Sequence, residues 1–156
     1  MKLFMKCMKY VLDFFMTVVI ILGLAFVILY LVGIEPFVVQ SGSMEPAIQT
    51  GSLSFINKHV DYSSIKENDI IAFEISSGAK VTHRAISITE EGIETKGDAN
   101  DVSDGISTTK ENYIGKNIFS IPKVGILVKQ IQTTRGKIIL VTVIIVILLA
   151  GILLRR

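Results

Sequence analysis

The sequence is poor in cysteine and histidine, the residues from which redox and metal sites are most often built. Cys7 is the only cysteine among 156 residues, so an intrachain disulfide and a cysteine-based zinc cluster are both excluded. Neither a metal nor another cofactor is expected. His59 and His83 are the only histidines, so any reaction that uses an imidazole base must use one of these two side chains.

A strong charge imbalance is also missing. The formal net charge is only +2 at pH 7, and basic residues near the two termini account for most of it. Proteins that bind nucleic acid usually carry a basic stripe, which this sequence lacks, so no nucleic-acid partner is expected. Internal repeats and low-complexity linkers are absent as well, and the length suits one small domain.

Two long apolar segments are present instead, one towards each end of the chain. Residues 14–34 carry no charge, and at ~1.5 Å per residue they extend over about 30 Å, the thickness of a bilayer core. This run exceeds the ~7–15 apolar residues of a cleaved signal peptide. Residues 138–154 are also uncharged, and a domain this small cannot enclose a helix that is apolar on every side. Two transmembrane helices are therefore predicted.

The distribution of basic residues predicts how the chain crosses the membrane. Residues 1–13 and 155–156 are expected in the cytoplasm, because positively charged flanks stay on that side. Residues 35–125 then form an extracytoplasmic domain, and residues 126–137 form a juxtamembrane segment. The supporting basic residues are Lys2, Lys6, Lys9, Arg155 and Arg156, whereas Lys129, Arg135 and Lys137 precede the second span on the outer side and oppose its orientation.

The part between the apolar segments has the pattern of short strands and turns. Residues 80–89 and 92–96 flank Glu90 and Glu91 and predict a hairpin, and residues 97–105 are rich in Gly, Asp, Asn and Ser and predict a loop. A compact β domain between two transmembrane helices is therefore predicted. Its other strands are expected at residues 37–39, 52–56, 69–75 and 114–121.

The stretch SGSMEP, residues 41–46, offers two candidate nucleophiles, Ser41 and Ser43. A serine hydroxyl needs a neighbouring base to remove its proton. His59 lies in a polar, loop-like stretch. His83 lies within KVTHRAI, residues 80–86, where strand alternation puts it on one face with Val81 and Ala85. The residues alone leave a structural role and a base role open for His83.

A carboxylate that fixes the tautomer of a histidine base would complete such a site. The loop after residue 95 supplies Asp98, Asp101 and Asp104, although a turn or a weak cation site would have the same composition. Lysine is the alternative base, with Lys80 and Lys96 as candidates. Lys80 is expected on the face opposite His83, and a lysine base must be desolvated to be neutral. A histidine base predicts activity that rises through about pH 6–7, whereas a lysine base needs alkaline pH.

Three motifs in this order, SGSMEP after an anchor, KVTHRAI, and TKGDANDVSD at residues 95–104, resemble type I signal peptidase. The resemblance is to the ER-type subgroup of archaea, some Gram-positive bacteria and the eukaryotic microsomal complex, and it extends from Pro36 to about Gly125. It implies a mainly β fold of coiled antiparallel sheet. It also implies a membrane-bound serine endopeptidase, a hydrolase that removes signal peptides from exported preproteins after an A-x-A-like sequence.

The resemblance also implies a role for individual residues. Ser43 is the nucleophile, His83 the general base, and Asp104 the residue that orients the base. Asp98 supports the site or shares the role of Asp104, and that choice stays open. The Ser41 hydroxyl and the Ser43 N–H stabilise the oxyanion, and the pocket for small substrate side chains is formed by Met44, Val39 and Gln40.

The expected location is the plasma membrane, as a multi-pass protein whose partners are signal peptides and the lipid bilayer, with proximity to the Sec translocon. A requirement for partner subunits, and a general or dedicated substrate set, stay open. Two alternatives remain beside this interpretation: a serine protease with a lysine base, and a non-enzymatic membrane protein with the β domain as an adaptor. A self-cleaving repressor would instead have a DNA-binding segment and no membrane spans.

Overall fold

The computed structural model describes the backbone of residues 2–155 and the side chains of residues 6–152. The basic side chains of Lys2, Arg155 and Arg156, which support the expected orientation, lie outside the described side chains. Within residues 2–155, one 3-10 turn, Tyr62–Ser64, accompanies the regular elements. These elements are α1 (Lys2–Leu31), β1 (Ile34–Val38), β2 (Leu53–Asn57), β3 (Ile70–Glu74), β4 (Lys80–Ile88), β5 (Ile93–Lys96), β6 (Ile106–Thr108), β7 (Tyr113–Ile121), α2 (Val124–Gln132) and α3 (Thr134–Arg155).

The chain forms two units, one containing α1 and α3, and the other consisting of Val32–Lys129. Helical stretches Lys6–Leu31 and Thr134–Ile152 are long and apolar enough to cross a membrane. Helix α1 starts before the predicted residue 14 and ends at Leu31, three residues before the predicted end. Gly33 has a positive φ of 71°, a common helix-ending conformation, and β1 begins immediately after it.

The second unit is built on one antiparallel sheet, which confirms the prediction of a mainly β domain. The strand order is β1-β2-β7-β3-β4-β5-β6. Register shifts interrupt the β2–β7, β3–β7, β4–β5 and β5–β6 pairs, and such bulges increase the twist of a sheet. The sheet curls so far that Lys80 of β4 contacts Glu35 of β1, although three strands separate them in the sheet order.

A cluster of buried hydrophobic side chains lies beside the central strands. Ile71 and Phe73 of β3, Ala85 of β4 and Ile93 of β5 pack together with Ile65 and are at most 5% exposed. Burying each of the large apolar side chains stabilises the fold by about 1.5–3 kcal/mol before the loss of chain entropy is counted. The strands that carry the candidate site are therefore fixed by core packing.

Two elements of the structure were not predicted. Strand β6 has only three residues and directly follows the turn-rich loop, so it shows almost no alternation. Helix α2 occupies much of the predicted juxtamembrane segment, residues 126–137. Its apolar residues recur at helical spacing but over only nine residues, and Gly125 lets the helix backbone lie close to Ser52.

Candidate active site

Ser43 lies in a turn that is held at both ends. Before the turn, the Val39 N–H donates to the Ser52 carbonyl at 3.0 Å, and the Val39 carbonyl accepts from the Gly51 N–H at 2.9 Å. Within the turn, Met44 is only 2% exposed. A buried side chain next to the serine anchors the backbone of Ser43, so its hydroxyl has a defined position.

His83 lies on β4 opposite Ile71 of β3, and its residue is 7% exposed. Its Nε2 lies 3.0 Å from the Ser43 Oγ, which is hydrogen-bonding distance. The Phe73 ring lies edge-on to the imidazole, with 6.3 Å between ring centroids. Packing on β3 thus holds the ring of His83 against the serine.

Asp104 contacts the other side of the same ring. Its Oδ2 lies 2.6 Å from the His83 Nδ1, and 26% of the Asp104 side chain is exposed. A carboxylate only accepts hydrogen bonds, so Nδ1 must donate the proton in this pair. The Nε2 atom then has a free lone pair directed at the Ser43 hydroxyl, which is the tautomer that a general base requires.

Asp98 has a different partner. It binds Arg84 through two hydrogen bonds, Nε to Oδ1 at 2.7 Å and Nη2 to Oδ2 at 2.6 Å. The hydrogen bond and charge of Asp98 raise the pKa of the Arg84 guanidinium above its ordinary value, although burial opposes this effect. Arg84 Nη1 also donates to the Asn68 carbonyl at 2.8 Å. Of the two aspartates left open by the sequence, Asp104 is therefore the one that contacts His83.

The turn after β5 also touches the nucleophile. The Ala99 N–H donates to the Ser43 carbonyl at 2.9 Å, and the Asn100 N–H closes the turn onto the Gly97 carbonyl at 3.0 Å. A β-carbon on Gly97 would lie 2.6 Å from the Ser43 carbonyl oxygen, so only glycine fits there without displacing the backbone. Because Asp98 belongs to this turn, its bond to Arg84 anchors the turn to β4.

The remaining predicted residues surround Ser43. The Ser41 Oγ lies 3.3 Å from the Ser43 Oγ, on the exposed side of the turn. Gln40 is exposed and Val39 is partly buried, whereas burial of Met44 leaves it available only as the floor of a pocket.

The alternative bases have other surroundings. The Lys80 Nζ lies 3.3 Å from Glu35 and 4.7 Å from the centroid of the Phe37 ring. Among the described residues, neither Lys80 nor Lys96 forms a hydrogen bond with Ser43, and His59 is exposed. His83 is therefore the only one of the four candidate bases in hydrogen-bond contact with the serine.

Two contributors to the site were missed from the sequence. The sequence pattern gives Arg84 no role at the site, and it puts Thr95 in the predicted hairpin segment, residues 92–96, without a role. Thr95 lies on β5 and its hydroxyl donates to Asp104 Oδ2 at 2.7 Å. A signal existed, because Ile93 and Thr95 alternate on the buried face of β5, where a threonine is unusual unless its hydroxyl is bonded.

The arrangement as a whole is a serine, an imidazole and a carboxylate in a continuous chain of hydrogen bonds. Such a chain can activate a hydroxyl for attack on a carbonyl carbon, the first step of acyl transfer.

Comparison with known proteins agrees with a peptidase site. Residues 11–123 match the family described as "Signal peptidase, peptidase S26". The chain is also similar to Signal peptidase I W of Bacillus subtilis strain 168, with 36% identity over 107 residues. That match covers 62% of this chain and 56% of the relative, so the chain spans about half the length of the curated relative. The protein belongs to the signal peptidase S26 family, as its three motifs predicted.

Proposed function

We propose that this protein is a membrane-bound serine endopeptidase that removes signal peptides from exported preproteins. The observation that carries the proposal is the hydrogen-bonded chain from Ser43 through His83 to Asp104, at 3.0 and 2.6 Å. Family membership supports the proposed reaction class and kind of substrate. The ER-type subgroup is proposed because a histidine, His83, occupies the position of the base.

Each residue of the hydrogen-bonded chain has a defined role in the proposed mechanism. As Ser43 Oγ attacks the scissile carbonyl carbon, its proton passes to His83 Nε2, and Asp104 stabilises the resulting imidazolium. His83 then gives this proton to the leaving amine, and water hydrolyses the acyl-enzyme by the reverse sequence. Asp98 acts at a distance, through Arg84 and the turn that bonds the Ser43 carbonyl.

The negative charge on the attacked oxygen needs hydrogen-bond donors. The Ser43 N–H and the Ser41 hydroxyl are the proposed donors, since the Ser41 Oγ lies 3.3 Å from the Ser43 Oγ. Donors of this kind act where charge develops in the transition state, and removing one costs about 10²–10³ in rate.

A signal peptide is proposed to bind as an extended strand between two free sheet edges. Strand β1 is the outer strand of the sheet, and residues 80–83 of β4 pair with β3 but with no described strand on their other edge. The contact between Lys80 and Glu35 shows that β1 and this part of β4 lie near each other. Backbone pairing on such edges gives affinity, and pockets formed by Val39, Gln40 and Met44 would select small side chains at the A-x-A positions.

Helices α1 and α3 are proposed as membrane spans, with both termini in the cytoplasm and Val32–Lys129 outside. Two of the supporting basic residues, Lys6 and Lys9, lie before the apolar part of α1. Anchoring enzyme and preprotein in one plasma membrane, near the Sec translocon, raises their effective concentration. Protease added outside sealed cells should digest the domain, and complete protection would contradict this orientation.

The proposal is tested with detergent-solubilised protein and a preprotein whose signal ends in A-x-A. Mass spectrometry should locate the cut after the last small residue, and a preprotein with bulky residues at both small positions should stay intact. Ser43→Ala and His83→Gln should abolish cleavage, whereas His59→Gln, the matched histidine control, should not. Full cleavage by Ser43→Ala would contradict the proposal. Activity in His83→Gln with loss in Lys80→Ala would indicate a lysine base, and no cleavage by folded wild type would favour a non-enzymatic adaptor.

A further inference from the structure

Thr95 contacts the site from the side opposite the serine. Its residue is fully buried, and its Oγ1 donates to Asp104 Oδ2 at 2.7 Å. This oxygen is the one that accepts from His83 Nδ1 at 2.6 Å. The His83 Nδ1–H and the Thr95 hydroxyl therefore both donate to one oxygen of the carboxylate. The hydrogen bond from Thr95 fixes the orientation in which this oxygen faces His83.

The directions of these hydrogen bonds are determined by chemistry. A hydroxyl has one hydrogen, so Thr95, which donates to Asp104, must accept from its other neighbour. That neighbour is the Ser107 hydroxyl on β6, with 2.6 Å between the oxygens. A directed chain of donors thus runs from Ser107 through Thr95 to Asp104.

The main chain of Thr95 holds the same aspartate. The Asp104 N–H donates to the Thr95 carbonyl at 2.9 Å, and the Thr95 N–H donates to the Gly105 carbonyl at 3.3 Å. Thr95 in turn is paired with Ala85, two residues beyond His83 on β4. The backbone bonds fix the position of Asp104, and the Thr95 hydroxyl fixes the rotation of its carboxylate.

We infer that Thr95 is a positioning residue, whose hydroxyl holds Asp104 Oδ2 against His83 and so keeps the proton of the imidazole on Nδ1. The Asp104 side chain is 26% exposed, so without this bond it can rotate towards water. Because Thr95 acts on catalysis through Asp104, loss of its hydroxyl should lower kcat and leave substrate binding unchanged. The catalytic part of the inference rests on the proposed function.

The test compares Thr95→Val and Thr95→Ala, which lack the hydroxyl, with Thr95→Ser, which keeps it. Thr108→Val is the matched control, because Thr108 is an equally buried threonine whose hydroxyl lies 3.5 Å from the Ser107 Oγ, the limit of a hydrogen bond, and does not contact Asp104. Removing the hydroxyl should lower kcat about 10- to 100-fold with KM unchanged, as for a hydrogen bond to a charged group. Thr95→Ser and Thr108→Val should keep kcat close to wild type.

A second readout does not depend on peptidase activity. The His83 Nδ1 proton should give a low-field resonance in the proton NMR spectrum of the detergent-solubilised protein, assigned by its loss in Asp104→Asn. The resonance should persist in Thr95→Ser and Thr108→Val and weaken or disappear in Thr95→Val and Thr95→Ala. If the folded wild type cleaves nothing, the proposed function fails while this comparison still tests the positioning.

The inference is overturned if either hydroxyl-free variant keeps wild-type kcat and an unchanged resonance. Loss of both in Thr95→Ser as well would show that the site needs the threonine methyl group for packing. A change in KM alone would place Thr95 in substrate binding. Should Thr95→Val fail to fold, Thr95→Ala, which removes the same hydroxyl without adding volume, decides the outcome.

Discussion

Replacing Gly97 by alanine should damage the candidate site through a single steric contact. The new β-carbon would lie 2.6 Å from the Ser43 carbonyl oxygen, well inside the ~3.5 Å of ordinary contact, so about 1 Å of movement is needed. The Asn100 side chain, also within 2.8 Å, can rotate away, but the Ser43 carbonyl is held by the Ala99 N–H. The backbone of the nucleophile itself must therefore move.

The magnitude follows from the size of that movement. Displacing a reacting group by about 1 Å typically costs on the order of 10² in rate, and overpacking costs about 1–3 kcal/mol of stability. Gly97→Ala should therefore reduce kcat roughly 100-fold while the protein still folds. The assay follows cleavage of an internally quenched peptide with an A-x-A site, with kcat and KM separated, and measures urea unfolding in the same detergent.

Gly78→Ala is the control for lost stability without a contact to the site. Gly78 has φ +79° and no atom within 4 Å of its β-carbon position, so alanine there costs about 1–2 kcal/mol through backbone strain alone. Its kcat should equal that of wild type. If Gly97→Ala keeps wild-type kcat, or if both variants lose activity equally, the argument from the Ser43 contact is wrong.

Two further predictions concern charged pairs of the domain. Asp98→Asn should lower the free energy of unfolding by about 1–3 kcal/mol in urea titrations, because Arg84 loses a charged partner; an equal loss in an Arg84→Met background would show that the pair is not coupled. Burial raises the pKa of Asp69, but its bonds to the Lys116 ammonium and the Lys66 N–H outweigh burial and hold the pKa below 3.8. A lowered pKa contributes stability above pH 3.8, and this contribution is lost as the pH falls through the folded value. Asp69→Asn should therefore be less stable than wild type at pH 7, and the difference in stability should vanish below the pKa of Asp69 in the folded protein. A constant difference down to pH 2 would contradict the lowered pKa of Asp69.

The sequence allowed the prediction of features that depend on local pattern. The uncharged runs predicted the two apolar helices, and alternation put His83 on the inner face of β4, where it is 7% exposed. The sequence could not show whether Asp98 or Asp104 contacts His83, because both aspartates lie in one irregular loop. Only the folded chain shows that Arg84, on the opposite face of β4, binds Asp98 and leaves Asp104 for His83.

Strand β6 and the role of Thr95 escaped prediction for a related reason. Strand β6 has three residues, too few for alternation to be visible, and it exists because β5 offers an edge with which to pair. Thr95 illustrates the same limit for the site. Its hydroxyl gains a role only when residues nine and twelve positions later fold back onto it.

The segment from Thr95 to Gly105 has a mechanical consequence for the site. It bonds the Ser43 carbonyl through Ala99 and holds Asp104 through Thr95. Ser43 and Asp104 are thus attached to the same segment. Thermal displacement of this segment moves both residues together and leaves the distance between them nearly constant. A displacement of His83, on the neighbouring strand β4, along the line between the two then shortens one catalytic distance as it lengthens the other.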